Sequence, residues 1–163
     1  MRELLPAVRA AIDVPVVAAG GIGSVEDVRS IMAAGADGVR IGTRFVASME
    51  SSAHPDYVDA LLRASAHDTV LTKRFGFEWP NAPHRVLRSS VEHAEASPDG
   101  PIGQMLIGQV SVPVMRFSSM LPTRGASGNI AAMAHYAGMS VGEVTSVTTA
   151  AAIVAELAGG LSL

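Results

Sequence analysis

The chain has 163 residues with a formal net charge of -3, 48% hydrophobic and 17% charged residues, and no cysteine. That is enough sequence for one domain with a packed core, and too apolar for a disordered tail. A pI near 5.9 and the lack of a basic stripe argue against nucleic acid or an anionic membrane as the main partner. The absence of cysteine excludes disulfides, a thiolate nucleophile and cysteine-based metal sites, and fits a cytoplasmic protein.

Residues 1–6 carry no long apolar run and are read as no signal peptide. Mean hydropathy is high, at +0.32. The most apolar stretches, 14–23 and 150–161, are too short or too broken by glycine to cross a bilayer, so they are expected in the core.

In chain order, Leu5, Val8 and Ile12 show helical spacing. The unbroken run Val14 to Ala19 then predicts a strand buried on both faces, as in a parallel sheet, with Pro15 at its start. Ser24 and Asp27 stand at capping-box spacing before a helix that buries Val25, Val28 and Met32 and stops at Gly35. Gly38 to Gly42 predicts a second strand, which completes a βαβ unit with parallel strands and a right-handed crossover. Further on, 55–64 reads as a helix, 69–72 as a short strand, 76–83 as a loop and 96–103 as a linker. Helices are expected over 129–137 and 148–158, with a second capping-box pair at Ser140 and Glu143. The last helix is expected to bury Ile153, Val154 and Leu157.

The segment most informative about chemistry is Ala18-Ala19-Gly20-Gly21-Ile22-Gly23-Ser24, followed after one helix by Gly38-Val39-Arg40-Ile41-Gly42-Thr43. Glycine lets backbone N–H groups approach phosphate oxygens closely, and a helix N-terminus adds donors and a favourable dipole. In a (β/α)8 barrel the loops after strands seven and eight commonly build such a phosphate site. Gly20-Gly21 and Gly42-Thr43 end strands expected to be neighbours, so they converge on one anion, whereas Gly23, Gly35 and Gly38 read as tight turns. There is no third glycine for a dinucleotide fingerprint, and Gln109 breaks any P-loop reading of Gly103 to Gly108. These residues alone leave FMN, a nucleotide or a sugar phosphate open as the ligand.

The segments 15–22 and 35–45 resemble the nitronate monooxygenase family. So do Thr43 to Ser51, Ala53 to Tyr57, Asp68 to Thr72, Arg85 to Arg88 and the tail Tyr136 to Gly142, where Met139 stands at a position the family often gives to Gln. The resemblance covers nearly the whole chain but only the family's later part. It implies an α/β fold: the C-terminal portion of a (β/α)8 TIM barrel, its last two strands, followed by a mostly helical segment. The implied divisions are 1–48 for the end of the FMN-binding barrel, 49–122 for a helix and loop segment, and 123–163 for helices packing back on the barrel. It further implies FMN as cofactor, with Ala19, Gly20, Gly21, Gly42 and Thr43 holding its phosphate, and an alkyl nitronate and dioxygen as the small-molecule partners. An FMN-dependent enoyl-[acyl-carrier-protein] reductase and a non-catalytic fragment that assembles with a partner chain are the alternatives. The family's histidine-containing segment, which supplies the catalytic base, belongs upstream, so no catalytic residue is assigned. A two-strand barrel segment leaves apolar edges uncovered, so self-association or a missing N-terminal half is expected.

His54, His67, His84, His93 and His135 show no metal-ligand spacing and read as structural, with His54 helping to start a helix. Arg85 and Arg88 read as solvated charges, Trp79 as packed against a barrel rim or flavin edge, and the methionines as core filling. Tyr136, beside the Gly138–Gly142 turn, is the tail's substrate-pocket candidate.

Overall fold

Helix α1 (Leu4–Ala11) leads into strand β1 (Val17–Ala19), and α2 (Val25–Ala33) carries the chain across to β2 (Gly38–Arg40). The computed structural model describes residues 4–161. β1 and β2 pair in parallel, Val17 with Gly38, Ala18 with Val39 and Ala19 with Arg40, so the βαβ unit expected from the sequence is present. The start of α2 is set by its capping box. Ser24 Oγ accepts from the Asp27 N–H at 3.1 Å, and the Asp27 carboxylate accepts from the N–H groups of Ser24 and Gly23, both at 3.1 Å. The run from Val14 is buried on one face only: Ala18 is 5% exposed, but Val17 is 62% exposed and Val14 61%. Among the described residues β2 is the only strand beside β1, and nothing covers the Val17 and Ala19 face. The opposite face packs Ala18, Ile22, Val28 and Ile31 against Ile153 and Leu157 of the C-terminal helix.

After the short helix α3 (Thr43–Val46) and α4 (Pro55–Arg63), the mostly helical segment expected from the sequence gives way to antiparallel sheet. β3 (Thr69–Thr72) pairs with β4 (His84–Leu87), and α5 (Arg88–Ala96) follows. β5 (Pro101–Ile107), β6 (Val110–Met115) and β7 (Ala126–Gly128) form a three-stranded sheet in the order β6-β5-β7. The segment read as a linker through residue 103 therefore becomes a strand from Pro101. Ile107 pairs with Val110, so Gly108 and Gln109 make a two-residue hairpin turn, and Pro113 is tolerated because β6 is an edge. Gly103 pairs with Gly128, where a Cβ on Gly103 would meet Ser127 O at 2.2 Å.

The helix expected over 129–137 is a 3-10 turn, Ile130–Ala132, followed by extended chain. That extended segment adds to β4: Leu87 N–H donates to His135 O at 2.9 Å and Ala137 N–H to Arg85 O at 3.1 Å. It is buried almost continuously from Ala132 to Ala137, and an extended segment held between two layers has that pattern. Ser140 and Glu143 lie in a second 3-10 turn, Met139–Glu143, capped by Gly138 and without a capping box. The last helix, α6 (Ala150–Ala158), buries Ile153 and Leu157, while Val154 is exposed. Among the described residues no helix is long and apolar enough to cross a membrane.

His135 ties α4 to this extended segment. Its ring stacks on Tyr57 with centroids 4.7 Å apart, and its Nε2 lies 3.1 Å from Ile130 O. Burial first, with smaller effects from His93 and His54, holds its imidazole down at about 4, against the opposing pull of Ile130 O and Asp56. The folded value lies below the ordinary value of 6.5, so the unfolded chain takes up a proton first and stability falls as pH drops from about 6.5 towards 4. The loss across that window should approach about 3 kcal/mol. Urea denaturation at several pH values should show this slope in the native chain and a flatter one in His135→Gln. Equal slopes would contradict the assignment.

Candidate functional site

The ladder between β1 and β2 brings both glycine turns to one end of the sheet, at the C-terminal ends of two parallel strands. There Ala19, Gly20, Gly21, Gly42 and Thr43 all line one pocket of about 250 Å³. Gly20 and Gly21 have φ of 99° and 71°, which side chains rarely adopt. Gly42 differs: its φ of -113° and ψ of -63° suit any residue. A Cβ added at Gly20, Gly21 or Gly42 would meet no atom within 4 Å. Neither the backbone nor a neighbouring group therefore requires glycine at 42, and a side chain there would project into open space at the pocket.

None of the residues lining the pocket belongs to α2, so its N-terminus does not supply the donors the sequence suggested. Asp27 already accepts from Gly23 and Ser24, and its carboxylate places negative charge at that helix end. The donors on that side must come from the glycine turn itself. Gly23 serves packing rather than a turn, because a Cβ there would meet Ser140 Cβ at 2.8 Å and Glu143 Cβ at 2.9 Å. Gly38 lies within β2 and is no turn either.

Residues nearly a hundred positions away in sequence close the pocket. Gly138 and Ser140 line it, and the Gly138 N–H donates to Thr43 Oγ1 at 3.0 Å, which leaves the threonine O–H able to donate elsewhere. Arg44, 8% exposed, anchors that wall. One of its terminal nitrogens donates to Glu143 O and the other to Glu156 Oε2 at 2.5 Å. Arg40 also lines the pocket, is exposed, and makes no ion pair among the described residues. Arg40 and Ser140 were not picked out as pocket residues from the sequence. The signal for Arg40 was available, since it ends β2 two residues before Gly42.

The other candidates lie elsewhere. Tyr136 donates its hydroxyl to Ser119 O at 2.9 Å and does not line this pocket. Trp79 is 71% exposed among the described residues. Arg85 is half-buried rather than solvated, and donates to Thr69 Oγ1 at 3.0 Å across β3 and β4. Met105 and Met133 fill the core, but Met139 is exposed. His54 Nδ1 accepts from the Asp56 N–H and starts α4, while His84 and His93 hydrogen-bond to nearby backbone carbonyls. A larger groove of about 590 Å³ lies between α4 and α5. Its lining mixes Asp56, Asp68 and Glu92 with Arg63 and Arg88, so opposite charges offset one another there. In the glycine pocket Arg40 is the single charged lining residue.

The family model described as nitronate monooxygenase matches residues 1–160. A probable nitronate monooxygenase of Staphylococcus aureus (strain Newman) is 32% identical over 109 residues, covering 66% of this chain and 31% of that protein. One from Bacillus subtilis (strain 168) is 42% identical over 75 residues, covering 46% of this chain and 22% of that protein. Among solved structures, FabK from Thermotoga maritima superposes with a TM-score of 0.68 at 27% identity, covering 98% of this chain and 48% of that one. Nitroalkane oxidase from Streptomyces ansochromogenes gives 0.67 at 26% identity, covering 98% and 43%. The chain thus spans less than half the length of each of these proteins.

Arg44 offers a test of how the far wall is held. Arg44→Leu should destabilise the fold by about 2–3 kcal/mol, because it removes a buried charged anchor with both its bonds. Glu156→Gln should cost only about 1 kcal/mol, since the carboxylate is half exposed and the bond to Glu143 O survives. Denaturant melts of the two variants would show this ranking, and the reverse order would refute it.

Proposed function

The chain belongs to the nitronate monooxygenase family, and we propose that its glycine pocket holds the phosphate of FMN in an enzyme that oxidises alkyl nitronates with dioxygen to a carbonyl compound and nitrite. The observation that carries this reading is Gly42. It is a glycine that neither its backbone angles nor any neighbour within 4 Å requires, standing opposite the Gly20-Gly21 turn. Open space at three converging glycines fits a group that must come close to main chain, as a phosphate does.

In this reading Ala19, Gly20 and Gly21 approach one side of the phosphate and Gly42 and Thr43 the other. The Thr43 hydroxyl is oriented by the Gly138 N–H and donates to a phosphate oxygen. FMN, when bound, supplies the electron transfer between nitronate and dioxygen. The contribution of these residues is to fix the cofactor's phosphate end, which limits where its reactive part can lie. The pocket lining holds no carboxylate or imidazole, so proton transfer from the substrate is assigned to none of its residues.

The bare face of β1 supports a partner. Val17 is 62% exposed on a two-stranded parallel sheet, where parallel strands are normally covered on both faces, and Val14, just before the strand, is 61% exposed. The reading assigns this face to further barrel strands, or to a second copy of the chain where those are lacking. Sizing with light scattering should show self-association of the isolated chain, and a monodisperse monomer would count against it.

Titration of the chain with FMN, followed by quenching of flavin fluorescence, tests the cradle. Saturable binding should weaken at least about tenfold in Gly42→Asp, which puts a carboxylate where the phosphate belongs, and should also weaken in Thr43→Ala. Equal binding by the native chain and both variants would rule the cradle out. An FMN-dependent enoyl-[acyl-carrier-protein] reductase would use the same cradle. In the complete enzyme, nitrite release from a nitronate with little NADH consumption separates the two.

A further inference from the structure

We propose that Arg40 is the specificity-determining residue of the glycine pocket. It selects a ligand that ends in a phosphomonoester over the same ligand without its phosphate, or with the phosphate tied up in a diester. The inference rests on the cradle reading above and adds a charge-selective element to it.

Four observations place Arg40 in this role. It is paired with Ala19 in the ladder, directly before the Gly20-Gly21 turn and two residues before Gly42. It is the single charged residue lining the pocket. It is exposed and in no ion pair among the described residues, whereas Arg44, four residues on, is buried and engaged by Glu143 O and Glu156. Paired residues of a parallel ladder share a face, so Arg40 rises from the same face as Val17, Ala19 and Gly38, where none of the described ladder residues is a carboxylate.

A lone guanidinium on an apolar face beside three open glycines offers an anion both positive charge and close approach to main chain. A phosphomonoester carries a charge of about -1.5 to -2 near neutral pH, a diester only about -1, and an uncharged alcohol none. The guanidinium also matches two phosphate oxygens at once, which an ammonium does not. The glycine turns supply close approach, and Arg40 supplies the preference for the doubly charged end. FMN ends in a phosphomonoester, FAD holds its phosphates as esters and anhydride, and riboflavin has none.

The test compares FMN, FAD and riboflavin by fluorescence titration of the native chain, Arg40→Gln and Arg40→Lys. The native chain should prefer FMN, and Arg40→Gln should lose about tenfold of that preference, the size of one charge-assisted hydrogen bond, with riboflavin affinity changed by less than about twofold. Arg40→Lys should keep an intermediate preference. An unchanged ratio of FMN to riboflavin affinity in Arg40→Gln would overturn the assignment. A native chain that binds FMN and riboflavin equally would instead overturn the cradle reading, and this inference with it. A second readout needs no flavin. Phenylglyoxal should label Arg40, inorganic phosphate should slow that labelling, and Gly42→Asp should abolish the protection, all followed by peptide mass. Labelling at the same rate with and without phosphate in the native chain would overturn the role of Arg40.

Discussion

Both glycine turns owe their position to a parallel ladder only three residue pairs long. So short a ladder has little cooperative strength of its own, and a slip of one residue would turn Arg40 away from the pocket side. Asp37 supplies the missing restraint. Its N–H donates to Val16 O at 2.8 Å, while its carboxylate accepts from the Val16 N–H at 2.7 Å and from Arg9 at 3.2 Å. Backbone and side chain of one residue thus clamp the entrance of β2 to the entrance of β1. With that end fixed, the C-terminal ends are set by strand length alone, and Gly20-Gly21 arrives beside Gly42-Thr43.

A clamped pair of strands makes two sides of a pocket, and the other wall comes from the distant 138–143 turn. Its approach depends on Gly23, since a side chain there would collide with both Ser140 and Glu143. It depends equally on Arg44, whose buried guanidinium reaches the turn and α6 together. The family-like run Thr43-Arg44 therefore does two jobs with adjacent side chains: Thr43 faces the pocket and receives Gly138, and Arg44 turns inward and holds the wall in place. Removing water from an arginine is costly unless it is paired, and this one is matched at its two terminal nitrogens by a carbonyl and a carboxylate, while its Nε has no partner among the described residues.

Where local chemistry determines an element, the sequence was legible. The capping box at Ser24 and Asp27, the stop at Gly35 and the helix begun by His54 and Pro55 follow from contacts within a few residues, and the βαβ unit follows from the order of the elements they delimit. The antiparallel sheet was not legible because its signals are weak or ambiguous: β5 and β6 each carry a proline, and their turn is Gly108-Gln109 rather than a stronger hairpin pair. The segment 133–137 was misread for a different reason. Ile130, Met133 and Ala137 have helical spacing, but their neighbours are buried too, and an all-buried run cannot distinguish a helix from an extended segment. At the pocket, Gly20 and Gly21 were readable because their positive φ restricts those positions, whereas Arg40 and Ser140 acquire their meaning only from what the fold sets beside them.

The same distinction separates binding from chemistry in this chain. Glycines and one guanidinium can hold an anion, but they offer no group suited to take a proton from carbon near neutral pH. The titratable groups with shifted character sit elsewhere and are engaged in structure: His135 is stacked on Tyr57 and bonded to Ile130 O, and Tyr57 donates to Tyr136 O. Displaced pKa values often mark reactive sites, but for His135 and Tyr57 they follow from burial in the packing between α4 and the extended segment. The glycine pocket, with ordinary side chains and an uncovered apolar face beside it, has the opposite character. Its geometry is set by strand register and by a wall anchored through Arg44, and in the proposed reading these residues control where a phosphate end rests and with what charge, while the reacting groups are brought to that fixed point.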